Sequence, residues 1–498
     1  MQTPSQTDAQ IADKAFENLL SVVAVESASD EDSTAVPSTE GQARLADHVG
    51  AYFGGLGGAV ERDASANVIA TFAGRGRLAD AEPLALMVHL DTAKGTEPAS
   101  ELNVARGWDG SRLTWTGNAG IRVDVATYPL LQSFVGHDVV HGSGKAPFGL
   151  DDKLGLTHMM TLAWLLHENP EIPHRPLLLI GRPDEEIGRM EALLGLADLL
   201  AERGVRSGYT VDGIEPFEIN VENFNAAGAS VTFPPQPVDG EAIGVRLVGV
   251  NTHGATAHAE GHRAATRLAT GLLQEKGLKV VGFVSDPLRD CDAELHVVGD
   301  RALLTTTLDS IVAPHRDRGA GWSFLDSTGP GDAAAHSMLR FVADFLASDP
   351  GFTLLAEESR GHDGYSHPYR GVMTEDGLRL DIRVRDFSEA GLQARLDHIT
   401  THSGGAARIR HQYVNMGPRL VDRPELLEWA RRAGAAVQQD VRTLPIRGGT
   451  GVDPFLDKGV AVANLGTGYF APESEKELTS LQHLAGHARW LVALVQQA

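Results

Sequence analysis

Acidic and histidine side chains follow three short apolar runs of this chain, at the points where buried strands are predicted to end. His89 and Asp91 follow the first run, the acidic triplet 184–186 follows the second, and Asp212 follows the third. Because open α/β sheets bind ligands in the crevice at the carboxyl ends of their strands, we expect these side chains to share one site.

His89 and Asp91 are two residues apart in a predicted strand end. Such residues point to the same side of an extended chain, so the Asp91 carboxylate can accept a hydrogen bond from the His89 ring nitrogen that does not bind a metal. A His-X-Asp triplet also arises by chance in a chain with 20 histidines. The pair is therefore informative only together with the other acidic residues.

The acidic triplet Asp184-Glu185-Glu186 follows a buried run. Three consecutive carboxylates repel one another unless a cation or a proton offsets their charge. Adjacent side chains on a loop diverge, so one of Glu185 and Glu186 can bind a metal while the other acts as a general base. The alternative is a solvated acidic loop without a ligand.

Asp151 and Asp152 lie between glycines at a predicted loop-to-helix junction. They are either helix-capping residues or a carboxylate that bridges two cations. Together with Asp151, the residues His89, Glu186 and Asp212 supply nitrogen and oxygen donors that suit zinc or a similar divalent ion.

The elements that must position these residues alternate along the chain. Apolar runs at 84–88, 176–180 and 209–211 are separated by helical periodicity at 154–167 and 190–203. Alternating strands and helices predict an α/β fold with a mixed, mostly parallel sheet and helices on both faces.

The alternation is interrupted in the middle of the chain. We predict a catalytic domain formed by residues 1–214 and 416–498, with an inserted α+β domain at 215–415. Within the insert, the segment 277–359 is long and rich in Gly, Asp and Pro. Structureless loops of that size are rare in compact domains, so we expect this segment to have secondary structure of its own.

Composition limits the possible partners and the compartment. The 498 residues include 43 Lys and Arg against 66 Asp and Glu, a formal charge of −23 that argues against nucleic-acid and membrane-surface partners. Cys291 is the only cysteine, so a Cys-rich zinc site is excluded and a reducing compartment is favoured. No apolar run reaches the ~18 residues of a membrane helix, and we expect a soluble cytoplasmic protein.

The sequence resembles the di-zinc exopeptidases of the aminoacylase and carboxypeptidase type, and within them the peptidase T (tripeptide aminopeptidase) branch. The motifs occur in the family's order and cover most of the chain outside 277–359. They are Ser29-Asp-Glu-Asp-Ser33 with Pro37-Ser-Thr-Glu-Gly-Gln42, His89-Leu-Asp-Thr-Ala93, Asp151-Asp-Lys153, Pro183-Asp-Glu-Glu-Ile-Gly188, Tyr209-Thr-Val-Asp-Gly213, Glu222-Asn-Phe-Asn-Ala-Ala227, Arg385-Asp-Phe387, Pro445-Ile-Arg-Gly-Gly-Thr450 and Asn464-Leu-Gly-Thr-Gly468.

The resemblance implies two divalent metal ions, with zinc foremost. Asp151 resembles the carboxylate that bridges both ions. His89 and Asp212 resemble the remaining ligands of one ion, and Glu186 resembles a ligand of the other.

The resemblance also implies roles for residues around the metals. Asp91 resembles the partner of the metal-binding histidine, and Glu185 resembles the general base that takes a proton from the attacking water. His253 resembles the histidine that the inserted domain, a lid that pairs two subunits, offers to the tetrahedral oxyanion. Arg385 and Arg447 resemble arginines that hold the terminal carboxylate of the substrate, with a structural salt bridge to Asp386 or Asp381 as the alternative for Arg385.

Two positions depart from the family pattern. Glu473 stands where the family has its last metal-binding histidine, and Gly451 stands where it has an aspartate. If Glu473 binds the second ion, that site has only oxygen donors and favours manganese, magnesium or cobalt more than a mixed site does. Otherwise Glu475 or Glu477 reaches the site, or the second ion and the activity are lost.

From these observations we predict a two-metal aminopeptidase that acts on short peptides, tripeptides foremost, and forms a homodimer through the inserted domain. The first alternative is a related amide hydrolase that acts on an N-acylated or otherwise modified amino acid. The second alternative is a metal-poor family member without catalytic activity.

Overall fold

A computed structural model of the chain describes residues 1–238, 241–326 and 331–498. Its internal contacts divide the chain into two units. The first contains residues 1–119, 123–223 and 416–498, and the second contains residues 120–122 and 224–415.

The first stretch of the first unit alternates between strands and helices. Its elements are α1 (Asp8–Val23), α2 (Glu40–Gly55), β1 (Ala59–Arg62), β2 (Val68–Phe72), β3 (Leu84–His89), β4 (Asn103–Ala105), β5 (Val139–His141), α3 (Leu150–Glu168), β6 (Leu177–Arg182), α4 (Glu191–Glu202), β7 (Ser207–Gly213) and β8 (Glu218–Asn220).

The second unit follows in the chain and is richer in antiparallel strands. Its elements are β9 (Asn225–Phe233), β10 (Pro237–Val238), β11 (Ile243–Val248), α5 (Ala257–Glu260), α6 (Ala265–Ala269), β12 (Leu278–Ser285), β13 (Ala293–Gly299), α7 (Arg301–Val312), β14 (Gly321–Phe324), β15 (Gly331–Asp332), α8 (Ala334–Leu346), α9 (Pro350–Thr353), β16 (Tyr365–Thr374), β17 (Gly377–Asp386), α10 (Glu389–His402) and β18 (Arg408–Tyr413).

The last stretch returns to the first unit. Its elements are α11 (Gly417–Leu420), α12 (Glu425–Ala436), β19 (Arg442–Thr443), α13 (Asp453–Asp457), β20 (Ala461–Gly466), β21 (Leu478–Ser480) and α14 (Leu481–Leu494).

The central sheet of the first unit has eight strands in the order β1-β2-β6-β3-β7-β20-β8-β19. β3 runs parallel to β6 and β7, and β20 runs parallel to β7, whereas β1, β2 and β8 add antiparallel pairs. The central strands β3, β6 and β20 are buried along their whole length, as expected for strands covered on both faces. The predicted α/β fold with a mixed, mostly parallel sheet is confirmed.

The long helices of the first unit bury apolar side chains against this sheet and against each other. α3 packs on β3 and β7, and it also packs on α1 and α14. All but four of the side chains of α3 are buried, which explains why this segment is apolar on every side.

Among its described residues, the second unit contains two four-stranded antiparallel sheets, with strand orders β12-β13-β11-β14 and β16-β17-β9-β18, and a two-stranded antiparallel sheet formed by β10 and β15. Helices α6, α8 and α10 pack on these strands. The segment 277–359 contains β12, β13, α7, β14, α8 and α9 among its described residues, so the expectation that it has its own secondary structure is confirmed there. Its residues 327–330 lie outside the described residues.

In the described ranges, none of the helices is both long enough and apolar enough to cross a bilayer.

Candidate metal centre

The carboxyl ends of three neighbouring strands meet at one edge of the central sheet. β3 ends at His89, β6 ends at Arg182 just before the acidic triplet, and β7 contains Asp212 one residue before its end. β3 lies between the other two strands and pairs with each in parallel, with His89 opposite Arg182. This register brings the predicted residues to the same edge.

The first group of possible ligands consists of His89, Asp151 and Asp212. The Nε2 atom of His89 lies 3.1 Å from Oδ1 of Asp151 and 3.5 Å from Oδ1 of Asp212. Burial alone would lower the pKa of His89, but the attraction of Asp212 and Asp151 raises it well above its usual value. The same attraction favours a cation at this position.

The second group consists of Asp151, Glu186 and Glu473, whose donor atoms lie within 4.8 Å of one another. Burial raises the pKa of Glu186 well above its usual range, and repulsion from Glu473 and Asp151 raises it further. Oε1 of Glu186 is buried and accepts no hydrogen bond within the described part of the chain. A bound cation would satisfy this oxygen and offset the repulsion.

Asp151 belongs to both groups, so the two groups share one carboxylate. One group offers a nitrogen and two carboxylates, and the other offers three carboxylates. Both donor sets suit divalent cations, because three carboxylates this close together are stable only when a cation or protons offset their charge. The residues therefore fit divalent cations, and Asp151 would contribute a donor to both groups. The structure brings all five predicted ligands together, and ligation by each of them stays a prediction.

Asp91 does not hold His89 chiefly through its carboxylate, which corrects the expectation from sequence. Nδ1 of His89 lies 2.9 Å from the main-chain oxygen of Asp91 and 3.4 Å from its Oδ1. The fully buried carboxylate instead accepts the main-chain N–H groups of Glu185 at 2.9 Å and Glu186 at 3.0 Å. These N–H groups lie in a turn after β6 and have no partner on a neighbouring strand, so they donate to the Asp91 carboxylate. Asp91 thus orients both the histidine ring and the acidic turn.

Glu185 lies beside Glu186 and next to a buried arginine. Its Oε1 is 3.6 Å from Nη2 of Arg182, and its side chain is 18% exposed. Burial raises the pKa of Glu185 to about 7, although Arg182 and His89 act in the opposite direction. A carboxylate with a pKa in this range can take up and release a proton near neutral pH.

The loop that carries Glu473 is fixed by Glu477. Oε1 of Glu477 accepts the main-chain N–H of Glu473 at 3.0 Å. Oε2 accepts the N–H groups of Phe148, Gly149 and Leu150 at 2.9, 3.0 and 3.3 Å. Glu477 therefore holds both the loop of Glu473 and the segment that leads into Asp151.

These contacts bear on the alternatives for the second ion. The carboxylate of Glu477 binds main-chain N–H groups, and among the described residues the second group contains Glu473 rather than Glu475. The geometry favours Glu473.

Two further contacts that sequence reasoning missed support the centre. The hydroxyl of Tyr469 donates to Oδ2 of Asp151 at 3.0 Å. The buried carboxylate of Asp184 accepts from the main chain and hydroxyl of Ser38 and from the side chain of Gln42. Ser38 and Gln42 belong to a motif noted in the sequence, but nothing local in that motif shows that it holds the acidic turn.

The predicted substrate-binding residues lie on both units. Arg447 is half-buried in the turn between β19 and α13 of the first unit. His253 and Arg385 lie in the second unit, where Arg385 donates to the main-chain oxygens of Val384 at 2.9 Å and Ala227 at 3.2 Å. The roles of these three residues stay predictions.

The salt-bridge alternative for Arg385 is wrong in its named partners. Asp386 pairs with Arg395 at 3.0 Å, and Asp381 pairs with Arg379 at 2.8 Å. Arg385 instead stacks near the ring of Tyr413, with 5.4 Å between the guanidinium carbon and the ring centre.

Comparison with known proteins gives a family match over most of the chain. The sequence profile of peptidase family M20/M25/M40 matches residues 132–497. Peptidase T of Macrococcus caseolyticus is 23% identical over 496 residues, covering 97% of this chain and 98% of that protein. Peptidase T of Bacillus cereus strain Q1 is 31% identical over 260 residues, covering 51% of this chain and 57% of that protein. These matches confirm the resemblance found in the sequence motifs.

Solved structures with the same fold include two bacterial enzymes. Aminopeptidase PepT from Bacillus cereus ATCC 10987 has a TM-score of 0.54 at 17% identity, covering 97% of this chain and 98% of that chain. A tripeptidase from Staphylococcus aureus Mu50 has a TM-score of 0.55 at 14% identity, with the same coverage of both chains. At these identities the likeness supports the fold alone.

Proposed function

Since this chain belongs to peptidase family M20/M25/M40, we propose that it is a metal-dependent exopeptidase that removes the N-terminal residue from short peptides, with tripeptides as its main substrates. The relatives named peptidase T support the substrate class. The observation that carries the proposal is the pair of donor groups that share Asp151 at the carboxyl edge of the sheet. A carboxylate shared by two donor groups would hold two metal ions close together, as two-metal hydrolysis uses them.

We assign His89, Asp151 and Asp212 to one ion and Asp151, Glu186 and Glu473 to the other. When bound, two divalent ions lower the pKa of a shared water and polarise the scissile carbonyl. Glu185 accepts the proton of the attacking water and then donates it to the leaving amine. Asp91 keeps Glu185 in place, because its carboxylate binds the main-chain N–H of that residue.

The substrate is held by its charge and by its developing oxyanion. We propose that Arg447 and Arg385 bind the terminal carboxylate, for which the planar guanidinium is well suited. We propose that His253 donates to the oxyanion of the tetrahedral intermediate. The resemblance to the family supports both assignments.

We propose the identity of each metal from its donors. The group with His89 suits zinc, whereas the group with three carboxylates favours manganese, magnesium or cobalt more strongly. Elemental analysis of purified protein, followed by activity with each ion added to metal-free enzyme, tests this assignment. Two equivalents of metal are expected, and a single equivalent would contradict the role of Glu473.

We further propose a homodimer formed through the second unit. Within the described residues, β18 pairs with β9 on one side, and Arg408–Gln412 are exposed, which leaves a strand edge that a second copy can extend. Light scattering coupled to size-exclusion chromatography tests the proposal, and a mass of about 53 kDa in solution would contradict it. A cytoplasmic location is proposed as well, supported by the single buried Cys291.

Hydrolysis of a defined substrate panel tests the function. The panel contains dipeptides, tripeptides and tetrapeptides, the same tripeptides with a blocked N-terminus, and N-acetylated amino acids, each with zinc, manganese, cobalt or magnesium. Release of the free N-terminal residue from tripeptides is expected. Turnover of only the acylated amino acids would favour the related amide hydrolase, and peptide binding without turnover would favour the non-catalytic alternative.

Substitution of the proposed general base, compared with a matched control substitution, tests its role. Glu185→Gln should lower kcat by about 10²- to 10⁴-fold while leaving the metal content unchanged, because the residue moves protons and binds no ion. Glu191→Gln makes the same change at an exposed position in the first turn of α4 and should retain wild-type activity. Equal activity of the two variants would contradict the assigned role of Glu185.

A further inference from the structure

Arg182 is a buried cation that neither binds a metal ion nor binds the substrate in the proposed function. It is the last residue of β6 and is 1% exposed. Its Nη2 donates to the main-chain oxygen of Thr450 at 2.9 Å, and its Nη1 donates to that of Gly451 at 3.1 Å. Its Nη2 also lies 3.6 Å from Oε1 of Glu185. Burying a guanidinium is costly unless it is paired and hydrogen-bonded, so these contacts must be formed in the folded protein.

The space for this guanidinium exists because residue 451 has no side chain. A Cβ atom at Gly451 would overlap Nη1 of Arg182 and would lie 3.3 Å from its Cζ. Gly451 also has a φ of 56°, a left-handed conformation that glycine adopts readily. The glycine at this position, where the family pattern has an aspartate, therefore leaves room for the buried guanidinium of Arg182 at the end of β6.

The contacts of Arg182 join two turns with different proposed roles. Glu185, the proposed general base, lies three residues after Arg182 in the acidic turn. Thr450 and Gly451 lie three and four residues after Arg447, which is proposed to bind the substrate carboxylate. A single side chain thus connects the two turns that act on opposite parts of a peptide substrate. Arg182 itself is too buried to meet the substrate.

We propose that Arg182 is a positioning residue whose guanidinium, seated in the space left by Gly451, fixes the turn of Arg447 relative to Glu185. This inference rests on the proposed exopeptidase function. Fixing these two turns sets the distance between the bound carboxylate and the scissile bond, and small errors in that distance lower the rate strongly. Substrates with a free carboxylate should therefore depend on Arg182 more than substrates without one.

The first test uses one tripeptide and its C-terminal amide. Arg182→Ala should lower kcat/KM for the free tripeptide about 10- to 100-fold. The fold-loss for the amide should be about 5 times smaller, because Arg447 cannot bind the amide through a carboxylate. Bound metal should remain at the wild-type level. Arg189→Ala removes another arginine of the acidic turn, one that contacts Asp184 but neither Thr450 nor Gly451, and should leave the preference for the free tripeptide unchanged.

The second test is a double-mutant cycle between Arg182 and Gly451. Gly451→Asn should lower kcat/KM by about 10-fold or more in the wild-type background, but by less than about 3-fold in the Arg182→Ala background, because the overlap with Nη1 is then absent. Asparagine is chosen because it tolerates the left-handed conformation. Gly459→Asn is the control, since Gly459 also has a positive φ but a Cβ there would meet nothing within 4 Å.

The outcomes separate the two levels of the proposal. Two results in an active enzyme would overturn the positioning role and leave the exopeptidase function intact. One is an equal fold-loss of kcat/KM for the free tripeptide and its amide in Arg182→Ala. The other is additive effects of Arg182→Ala and Gly451→Asn in the double-mutant cycle. A wild-type enzyme that hydrolyses no peptide of the panel would overturn the proposed function and the positioning role with it.

Discussion

Replacing Glu477 by glutamine tests whether one buried carboxylate positions the second metal site. Glu477 accepts four main-chain N–H groups, one from Glu473 and three from the segment 148–150 that leads into Asp151. Glutamine has nearly the same shape, but one of its two terminal atoms is an amide nitrogen that cannot accept a hydrogen bond. The variant therefore keeps the packing and removes part of the acceptor function.

The geometry shows which hydrogen bonds glutamine would keep. If its oxygen takes the place of Oε2, three N–H groups keep their acceptor and only the N–H of Glu473 loses it. The opposite orientation would leave three N–H groups without an acceptor, so the first orientation is favoured. Leaving one buried N–H without a partner costs about 1–3 kcal/mol, and in the first orientation this cost falls on the loop of Glu473.

The expected effect is confined to one ion. Loss of a hydrogen bond that orients a ligand lowers metal affinity by about 10- to 100-fold, which corresponds to about 1.4–2.8 kcal/mol. We expect this loss for the ion held by Asp151, Glu186 and Glu473. The ion at His89 should keep its affinity within about 3-fold, because the segment 148–150 keeps its three bonds.

Calorimetric titration of metal-free protein with manganese or zinc resolves the two binding steps. Glu475→Gln is the matched control, because it makes the same change two residues away and lies outside both donor groups. It should leave both affinities within about 3-fold of the wild type. The reasoning would be refuted if Glu477→Gln bound both ions with wild-type affinity, or if Glu475→Gln weakened the second ion more than Glu477→Gln did.

Three further predictions follow from the same structure. Glu473→His should raise the affinity of the second site for zinc relative to manganese, since it adds a nitrogen donor, and competition between the two ions measures the ratio; an unchanged ratio would show that residue 473 is not a ligand. Tyr469→Phe removes the donor to Asp151 and should weaken both ions by about 10-fold without lowering the melting temperature of the metal-free protein, and a change confined to one ion would contradict the bridging role of Asp151. Burial lowers the pKa of His158 to about 4, so this ring stays neutral in the folded protein while the unfolded chain takes up a proton below about 6.5. The unfolded state then binds more protons, and stability falls as the pH drops from 6.5 towards 4, by up to about 1.4 kcal/mol per pH unit for this residue. Urea unfolding of metal-free His158→Gln should show a shallower loss between pH 6.5 and 4.5 than the wild type, and an identical slope would rule out a neutral buried His158.

The parts of the site that could be predicted from sequence are those with a local signal. His89 and Asp212 sit at the ends of apolar runs, and Glu185 and Glu186 follow another, so strand ends and charge density located them together. Asp151 needed the resemblance to the family, because a pair of acids at a helix start is equally typical of a cap.

The parts that could not be predicted depend on contacts between distant segments. Glu477 acts on residues more than 320 positions away, and Arg182 acts on a turn about 270 positions away. Asp91 was expected to bind His89 through its carboxylate, but the folded turn offers two N–H groups to that carboxylate instead. Local spacing carries no information about these partners.

The fold shows the same distinction. The buried runs that became β3, β6 and β7 were visible as apolar segments because parallel strands are covered on both faces. In the antiparallel sheets of the second unit, the alternation of apolar and charged residues at 379–385 indicates one strand, and these residues form part of β17. A strand of this kind buries only one face. The residues of β17 alone do not show that it pairs with β9 and β16.

The central claim is that two divalent ions share Asp151, with Glu473 as a ligand of the second. Anomalous diffraction from crystals of the metal-loaded protein tests it most directly. Two peaks are expected, one bonded to Nε2 of His89 and the other to the carboxylates of Glu186 and Glu473, with Asp151 between them. A single peak at His89, with the Glu473 carboxylate turned away from the site, would contradict it.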